Sequence, residues 1–324
     1  MKRALKFLAY SACSIAAVAL VAAATVLVRW DRTFEAPYPD IHASSDPNVI
    51  ARGRYIVYGP GHCVACHTDK SKHPAIEAGA TPFLTGGNIF ELPFGTVYTP
   101  NLTPDRETGI ARRTDGELAR ILRYGVRADG RVAMPFMEFH HMSDDDLQAV
   151  ISFLRSQPAV RNEIPRHEFN FLGKTILAFL LKPVGPKSEP PKHAPAEEAT
   201  VERGHYLANN VAGCAACHTK RNPLDGSYTG ARFSGGMEMA VDAKTMLVSP
   251  NLTPDPKTGR IASWPEEQFV GRFGAGVGLP GTHMPWRLYQ RMSDTDLRAI
   301  YRYLKSLEPV VNATGPSLQD RKKG

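Results

Sequence analysis

One short pattern limits what this chain can become, and it occurs twice. Residues 63–67 read Cys63-Val64-Ala65-Cys66-His67, and residues 214–218 read Cys214-Ala215-Ala216-Cys217-His218. Two cysteines three apart, followed at once by a histidine, form the attachment signature of c-type haem. The thiols add to the two vinyl groups, and the adjoining imidazole becomes the iron's proximal ligand. A single copy also fits half a zinc site or a redox dithiol. Two copies use four of the five cysteines and leave no further Cys-x-x-Cys to complete a tetrahedral zinc. The sequence therefore predicts two covalently attached haem c groups. Cys63, Cys66, Cys214 and Cys217 hold them, and His67 and His218 bind the irons.

The surroundings of the two motifs repeat as well. Arg52-Gly53-Arg54-Tyr55 returns as Arg203-Gly204-His205-Tyr206, and Phe83 to Gly87 returns as Phe233 to Gly236. Pro100-Asn101-Leu102-Thr103-Pro104-Asp105 returns unchanged as Pro250-Asn251-Leu252-Thr253-Pro254-Asp255, each followed by Thr-Gly. Met134-Pro135-Phe136 matches Met284-Pro285-Trp286. Met142-Ser143-Asp144 with Asp146-Leu147 matches Met292-Ser293-Asp294 with Asp296-Leu297. A match this long is a duplicated domain, and 324 residues accommodate two.

Each repeat has a helical plan. Apolar residues at Leu147, Val150, Ile151 and Leu154, and at Leu297, Ile300, Tyr301 and Leu304, follow the i, i+3, i+4, i+7 spacing of one helix face. That stripe is read as core. Ser143 and Ser293 stand as N-caps, with Asp146 and Asp296 three residues on in a variant capping box. Opening helices are expected around Val49 to Tyr58 and Val201 to Asn209, and middle helices near Asp115 to Tyr124 and Pro265 to Phe273. Gly53 and Gly204 would let the opening backbones approach the closing helices.

Each iron needs a sixth ligand. Met134 and Met284 lie at matching places after their histidines, and each precedes a proline that stiffens the loop. A methionine thioether raises the reduction potential of a c-type haem. Met137, His140, His141 and His283 have no counterpart in the other repeat, and Met142 and Met292 sit next to helix caps. The iron ligands are therefore read as His67 with Met134 and His218 with Met284. Pro100-Asn101 and Pro250-Asn251 are expected to pack on the haems and bond a propionate. A turn that only ends a loop is the alternative.

The N-terminus carries an uncharged run from Phe7 to Val28, preceded by Lys2, Arg3 and Lys6 and followed by Arg29 and Trp30. That run is long enough to cross a bilayer and longer than the core of a cleaved signal. The reading is an uncleaved anchor with its N-terminus in the cytoplasm, over a removed signal. Cys13 is a small residue within the run. Residues 1–34 are thus taken as anchor, 35–160 and 199–312 as haem domains, 161–198 as linker and 313–324 as a loose tail. Within the linker, Phe169 to Leu181 is apolar but too short to span a membrane. It is read as a brace between the domains or an interfacial helix, with the brace preferred. Pro183 to Pro195 reads as extended. The net charge of +7 comes without long Lys/Arg runs or a nucleic-acid motif, so nucleic acid is excluded as a partner.

With these motifs in hand, the chain resembles the membrane-bound multihaem c-type cytochrome subunits of bacterial periplasmic alcohol, gluconate and aldehyde dehydrogenases. R-G-x-Y before C-x-x-C-H, P-N-L-T-P-D with T-G, M-P-(F/W) and M-S-D-x-D-L carry the likeness across both repeats. It implies an all-α fold, with two tandem class I cytochrome c-like domains after a transmembrane helix. It also implies a place on the periplasmic side of the bacterial inner membrane. The donor would be a dehydrogenase catalytic subunit, and the acceptor a quinone, a soluble cytochrome or a terminal oxidase. The chain departs from the alcohol and gluconate subunits in carrying two haem motifs where those typically carry three. A competing class is a dihaem enzyme of the peroxidase or thiosulfate-dehydrogenase type, with asymmetry at His140 or His141. The matching Met-Pro elements argue against one specialised haem. A haem-based sensor has no signalling domain in the sequence to receive its message.

Overall fold

The computed structural model describes residues 2–222, 226–276, 278–279 and 281–321. Helix α1, Lys2–Arg29, is long and apolar enough to cross a membrane, and nearly all of its large side chains are exposed.

In the first repeat, Asp46 caps α2, Pro47–Tyr58, by accepting from the Asn48 amide, and Pro47 starts the helix where a missing N–H costs nothing. Thr114 and Glu117 form a complete capping box on α3, Asp115–Tyr124, and Gly125 ends it in the left-handed conformation. Ser143 caps α4, Asp144–Ser156. Beyond α4, the chain forms α5, Phe171–Leu180, whose last five residues wind as a π turn.

The second repeat follows the same plan. It has α6, Val201–Tyr206, continued by a π turn over Leu207–Val211, then α7, Glu266–Gly274, and α8, Asp294–Ser306. The opening and closing helices of each repeat cross, α2 on α4 and α6 on α8. A Cβ on Gly53 would fall onto the Ala149 carbonyl oxygen, and one on Gly204 onto that of Ala299. Glycine at these positions sets how closely the backbones meet. Leu147, Ile151, Leu297 and Leu304 fill the crossings and are buried. Burying each such side chain contributes about 1.5–3 kcal/mol.

The fold is mainly helical, but the all-α expectation leaves out two small antiparallel sheets. One joins β1, Ile89–Leu92, β2, Gly95–Tyr98, and β3, Glu168–Phe169. The other joins β4, Glu238–Ala240, β5, Thr245–Val248, and β6, Leu318–Asp320. In each, a hairpin offers its second strand to chain returning from the closing helix, with Thr96 opposite Glu168 and Met246 opposite Gln319.

This corrects three expectations. The tail is not loose over Leu318–Asp320, because the free edge of β5 pairs with it; residues 322–324 lie outside the described residues. The first part of the 161–198 linker likewise belongs to the first domain's sheet. The segment Phe169 to Leu181 is not a brace between domains either. It packs against α1 and the β1–β2 hairpin, where a Cβ on Gly173 would meet the Phe94 carbonyl oxygen. The stretch from Pro183 to Pro195 forms neither helix nor strand. Its Pro191 and Lys192 carbonyls accept from the Asp144 and Asp145 amides, which a helix N-terminus leaves unpaired.

The capping boxes on α4 and α8 are altered in a way that joins the domains. Asp146 does not turn back to the Ser143 amide. Both of its oxygens take Arg52, at 2.8 and 3.0 Å, and Oδ2 also accepts from the Tyr206 hydroxyl at 2.7 Å. The Ser143 amide donates to Tyr206 Oη instead. Asp296, Arg203, Tyr55 and Ser293 repeat the arrangement from the other side.

Candidate functional site

Each Cys-x-x-Cys-His forms a single helical turn, Cys63–Cys66 and Cys214–Cys217. The amides of His67 and His218 close the turns on the Cys63 and Cys214 carbonyls at 2.9 Å. The residue before each turn is left-handed: Gly213 at φ 61° and His62 at φ 40°. A non-glycine residue there is strained, and His62 is held by its ring, whose Nδ1 lies 3.0 Å from the Pro60 carbonyl oxygen.

The repeated glycines and prolines have a definite task. Gly86 N–H donates to the His67 carbonyl, and Gly235 N–H to that of His218. A Cβ at either glycine would strike the backbone of Pro100 or Pro250. Thus the histidine, the left-handed glycine and the Pro-Asn segment are pressed together. The result is the contact between His67 Nδ1 and the Pro100 carbonyl oxygen at 3.2 Å, matched by His218 Nδ1 and that of Pro250 at 3.1 Å. An Nδ1–H donating to a carbonyl fixes the tautomer and ring direction of a metal-ligating histidine. Burial lowers the pKa of both imidazoles, with the carbonyl bonds partly opposing it, so they stay in the neutral form that binds metal.

Asn101 and Asn251 each spend their side-chain bonds within the protein. Asn101 Nδ2 donates to Thr108 Oγ1 and the Val160 carbonyl, and its Oδ1 accepts from the amide and hydroxyl of Thr103. Asn251 makes the same four bonds with Thr258, Val310 and Thr253. Both side chains are buried and fully engaged, with no donor left for a propionate. They tie the segment after the closing helix to the loop whose carbonyl supports the histidine.

The residues fit haem. Each imidazole presents Nε2 without a protein hydrogen-bond partner among the described residues, beside two cysteines that are not paired as a disulfide. Burial, with the neighbouring sulfur second, pushes the Cys63 and Cys214 thiols up to about 12. Redox dithiols need the opposite shift. No group of three His, Cys, Asp or Glu converges among the described residues. Trp286 Nε1, just after Met284-Pro285, is buried with no acceptor, which suits a group bearing carboxylates.

Met134 and Met284 are half-buried, and each lies in the same tight turn. The Phe136 amide donates to the Met134 carbonyl, and the Trp286 amide to that of Met284, at 2.8 Å across the intervening proline. The rival ligands are placed otherwise. Met142 and Met292 are core residues. His140 Nδ1 lies against the Arg123 carbonyl oxygen, and His141 Nε2 accepts from the Lys187 amide. His283 is exposed and its Nε2 lies against the Ala240 carbonyl oxygen.

Sequence reasoning missed the contacts that bring the two sites together. The His62 ring meets Tyr289 edge-on with centroids 5.8 Å apart, and Tyr289 Oη donates to the Ala212 carbonyl at 2.6 Å. One side chain precedes Cys63, and the other is bonded two residues before Cys214. Arg221, near Cys217, also pairs with Glu138 of the Met134 loop. A signal for Tyr289 existed, because Phe139 stands at the corresponding place three residues before Met142.

The sequence profile of the cytochrome c family matches residues 50–158 and 201–308. The cytochrome c subunit of the quinone alcohol dehydrogenase of Gluconacetobacter polyoxogenes is 32% identical over 293 residues, covering 84% of this chain and 58% of the relative. The gluconate 2-dehydrogenase cytochrome c subunit of Pantoea cypripedii is 30% identical over 282 residues, covering 80% of this chain and 59% of its own length. A diheme cytochrome c-type protein of Cereibacter sphaeroides is 29% identical, over 82% of this chain and 90% of its own. The chain thus spans only 58% and 59% of the two dehydrogenase subunits.

Proposed function

We propose that this chain, which belongs to the cytochrome c family, carries electrons through two haem c groups and binds no substrate of its own. The observation that carries this reading is the sameness of the two sites. Both have the proline carbonyl beneath the histidine, at 3.2 and 3.1 Å, and both have the Met-Pro turn.

Cys63 and Cys66 would hold one haem and Cys214 and Cys217 the other, with His67 and Met134, and His218 and Met284, as iron ligands. When bound, each haem supplies a one-electron iron couple. The carbonyls of Pro100 and Pro250 hold the imidazoles in one tautomer and direction. The Met134 and Met284 thioethers would be the second protein ligands, leaving no place for peroxide or dioxygen and favouring the reduced state. His62 and Tyr289 link the two attachment turns through their ring contact and the Tyr289 bond to the Ala212 carbonyl.

The donor would be the catalytic subunit of a periplasmic dehydrogenase, since the alcohol and gluconate dehydrogenase relatives are named as such enzymes' cytochrome c subunits. The acceptor would be a quinone, a soluble cytochrome or a terminal oxidase. Helix α1 would anchor the chain in the bacterial inner membrane, with both haem domains on the periplasmic side.

The test is an anaerobic titration of the reduced holoprotein with a one-electron oxidant, followed by exposure to carbon monoxide and to peroxide. Two electrons per chain, no carbon monoxide complex and no peroxide turnover are expected. Peroxide turnover, or carbon monoxide binding at one haem, would favour a dihaem enzyme.

A further inference from the structure

Helix α5 presents an apolar face that neither domain covers. Phe171 and Leu172 at its start and Phe179 and Leu180 at its end are 45–64% exposed, whereas Gly173, Leu177 and Ala178 are buried. The helix is not loosely attached. Asn170 caps it by accepting from the Gly173 amide, and Gly173 seats it against the Phe94 carbonyl of the β1–β2 turn.

Its other neighbour is the end of α1. The Arg29 guanidinium lies 5.7 Å from the centre of the Phe179 ring, and Arg32 donates to the Leu181 carbonyl at 3.0 Å. Trp30 meets Phe169 edge-on at 6.4 Å and takes the Lys174 ammonium on its face at 5.3 Å. Val26, one turn earlier in an otherwise exposed helix, is buried. The exposed face of α5 therefore stands at the level where the apolar run of α1 gives way to Arg29 and Trp30. In a membrane-spanning helix, that is where the hydrocarbon ends and the headgroups begin.

We infer that α5 is an interfacial helix whose partner is the lipid bilayer. Phe171, Leu172, Phe179 and Leu180 enter the boundary between headgroups and acyl chains, and Lys174 stays with the headgroups. The inference rests on α1 as the membrane anchor. Four exposed apolar side chains with Lys174 beside them suit a helix lying in that layer. Because α5 is fixed to the sheet of the first domain, it sets that domain's orientation on the membrane and places the first haem domain nearest the surface.

The test is photolabelling of the full-length holoprotein in nanodiscs carrying an acyl-chain diazirine, with labelled peptides mapped by mass spectrometry. Label on both α1 and residues 171–180 is expected. In a Phe171→Asp/Leu180→Asp variant, the label on 171–180 is lost, while the α1 label and both haem spectra are unchanged. Label on α1 alone in the wild-type protein overturns the inference and leaves the anchor standing. Label on neither overturns the anchor and the inference with it. Undiminished label on 171–180 in the variant also overturns it, because that face would not be what the lipid touches.

Discussion

The hydroxyl of Tyr55 donates to Asp296 Oδ2 at 2.7 Å, reaching from the opening helix of one domain to the capped end of the other's closing helix. Its image, Tyr206 to Asp146, has the same length. Each tyrosine also accepts the serine amide that the aspartate would take in an ordinary capping box, at 3.2 Å for Ser293 and 3.1 Å for Ser143. The recurrence of Arg-Gly-x-Tyr with Met-Ser-Asp-x-Asp therefore does more than keep two similar domains folded. It couples them.

Removing either hydroxyl leaves a buried carboxylate one donor short, which costs about 1–3 kcal/mol. Tyr55→Phe and Tyr206→Phe are each expected to lower the stability read from denaturant unfolding by that amount. In a double-mutant cycle with Asp296→Asn, Tyr55→Phe should show a coupling of about 0.5 kcal/mol or more. Additive behaviour would mean the bond across the interface is not made in solution.

The same tyrosines give a pH dependence. Burial, with the facing Asp296 or Asp146 second, holds both phenols well above their usual range. A raised folded-state pKa means the folded protein keeps a proton that the unfolded chain gives up. Their stabilisation is therefore complete below the unfolded value of about 10 and is lost as pH rises beyond it. Melting temperature against pH should fall above about 10 in the wild type. The gap to the Tyr55→Phe/Tyr206→Phe variant should close over the same range, and a constant gap would contradict the assignment.

Gly53→Ala and Gly204→Ala place a methyl group on the Ala149 or Ala299 carbonyl oxygen. Overpacking costs about 1–3 kcal/mol, and more where backbone must move. Each variant should lose stability chiefly in its own domain, read as haem loading by peptide mapping after expression. Full loading of both sites with an unchanged melting temperature would contradict the close crossing.

Asn101→Ala removes four hydrogen bonds, each contributing about 0.5–1.5 kcal/mol. Because none of them reaches toward a propionate, thermal stability should fall while the pH dependence of the haem potential stays as in the wild type. A changed pH dependence would restore a direct role for Asn101 at the haem.

Much of the molecule was legible in the sequence because its signals were local. The stripe from Leu147 to Leu154 predicted a helix by period alone, and Gly53 and Gly204 announced close crossings. Cys-x-x-Cys-His carries its chemistry in adjacent residues. What escaped were relations between distant residues. Strands of two to four residues, such as Glu168–Phe169, show too little alternation to read. Asp146 looked like half of a capping box because a local rule cannot see Tyr206 arriving from the other repeat. The recurrence of Pro100-Asn101 as Pro250-Asn251 marks a place where the chain is closely fitted. Which of its atoms met the histidine and which met Val160 depended on the folded chain.

Under the proposed function, Met134 and Met284 would each close one iron. The measurement is near-infrared absorption with low-temperature EPR on the oxidised full-length holoprotein and on its Met134→Ala and Met284→Ala variants. Two low-spin haems are predicted, with a methionine–iron charge-transfer band that falls by about half in each variant, one ligand at each iron. A high-spin haem in the wild type, or a band indifferent to one of the substitutions, would contradict methionine ligation at that site.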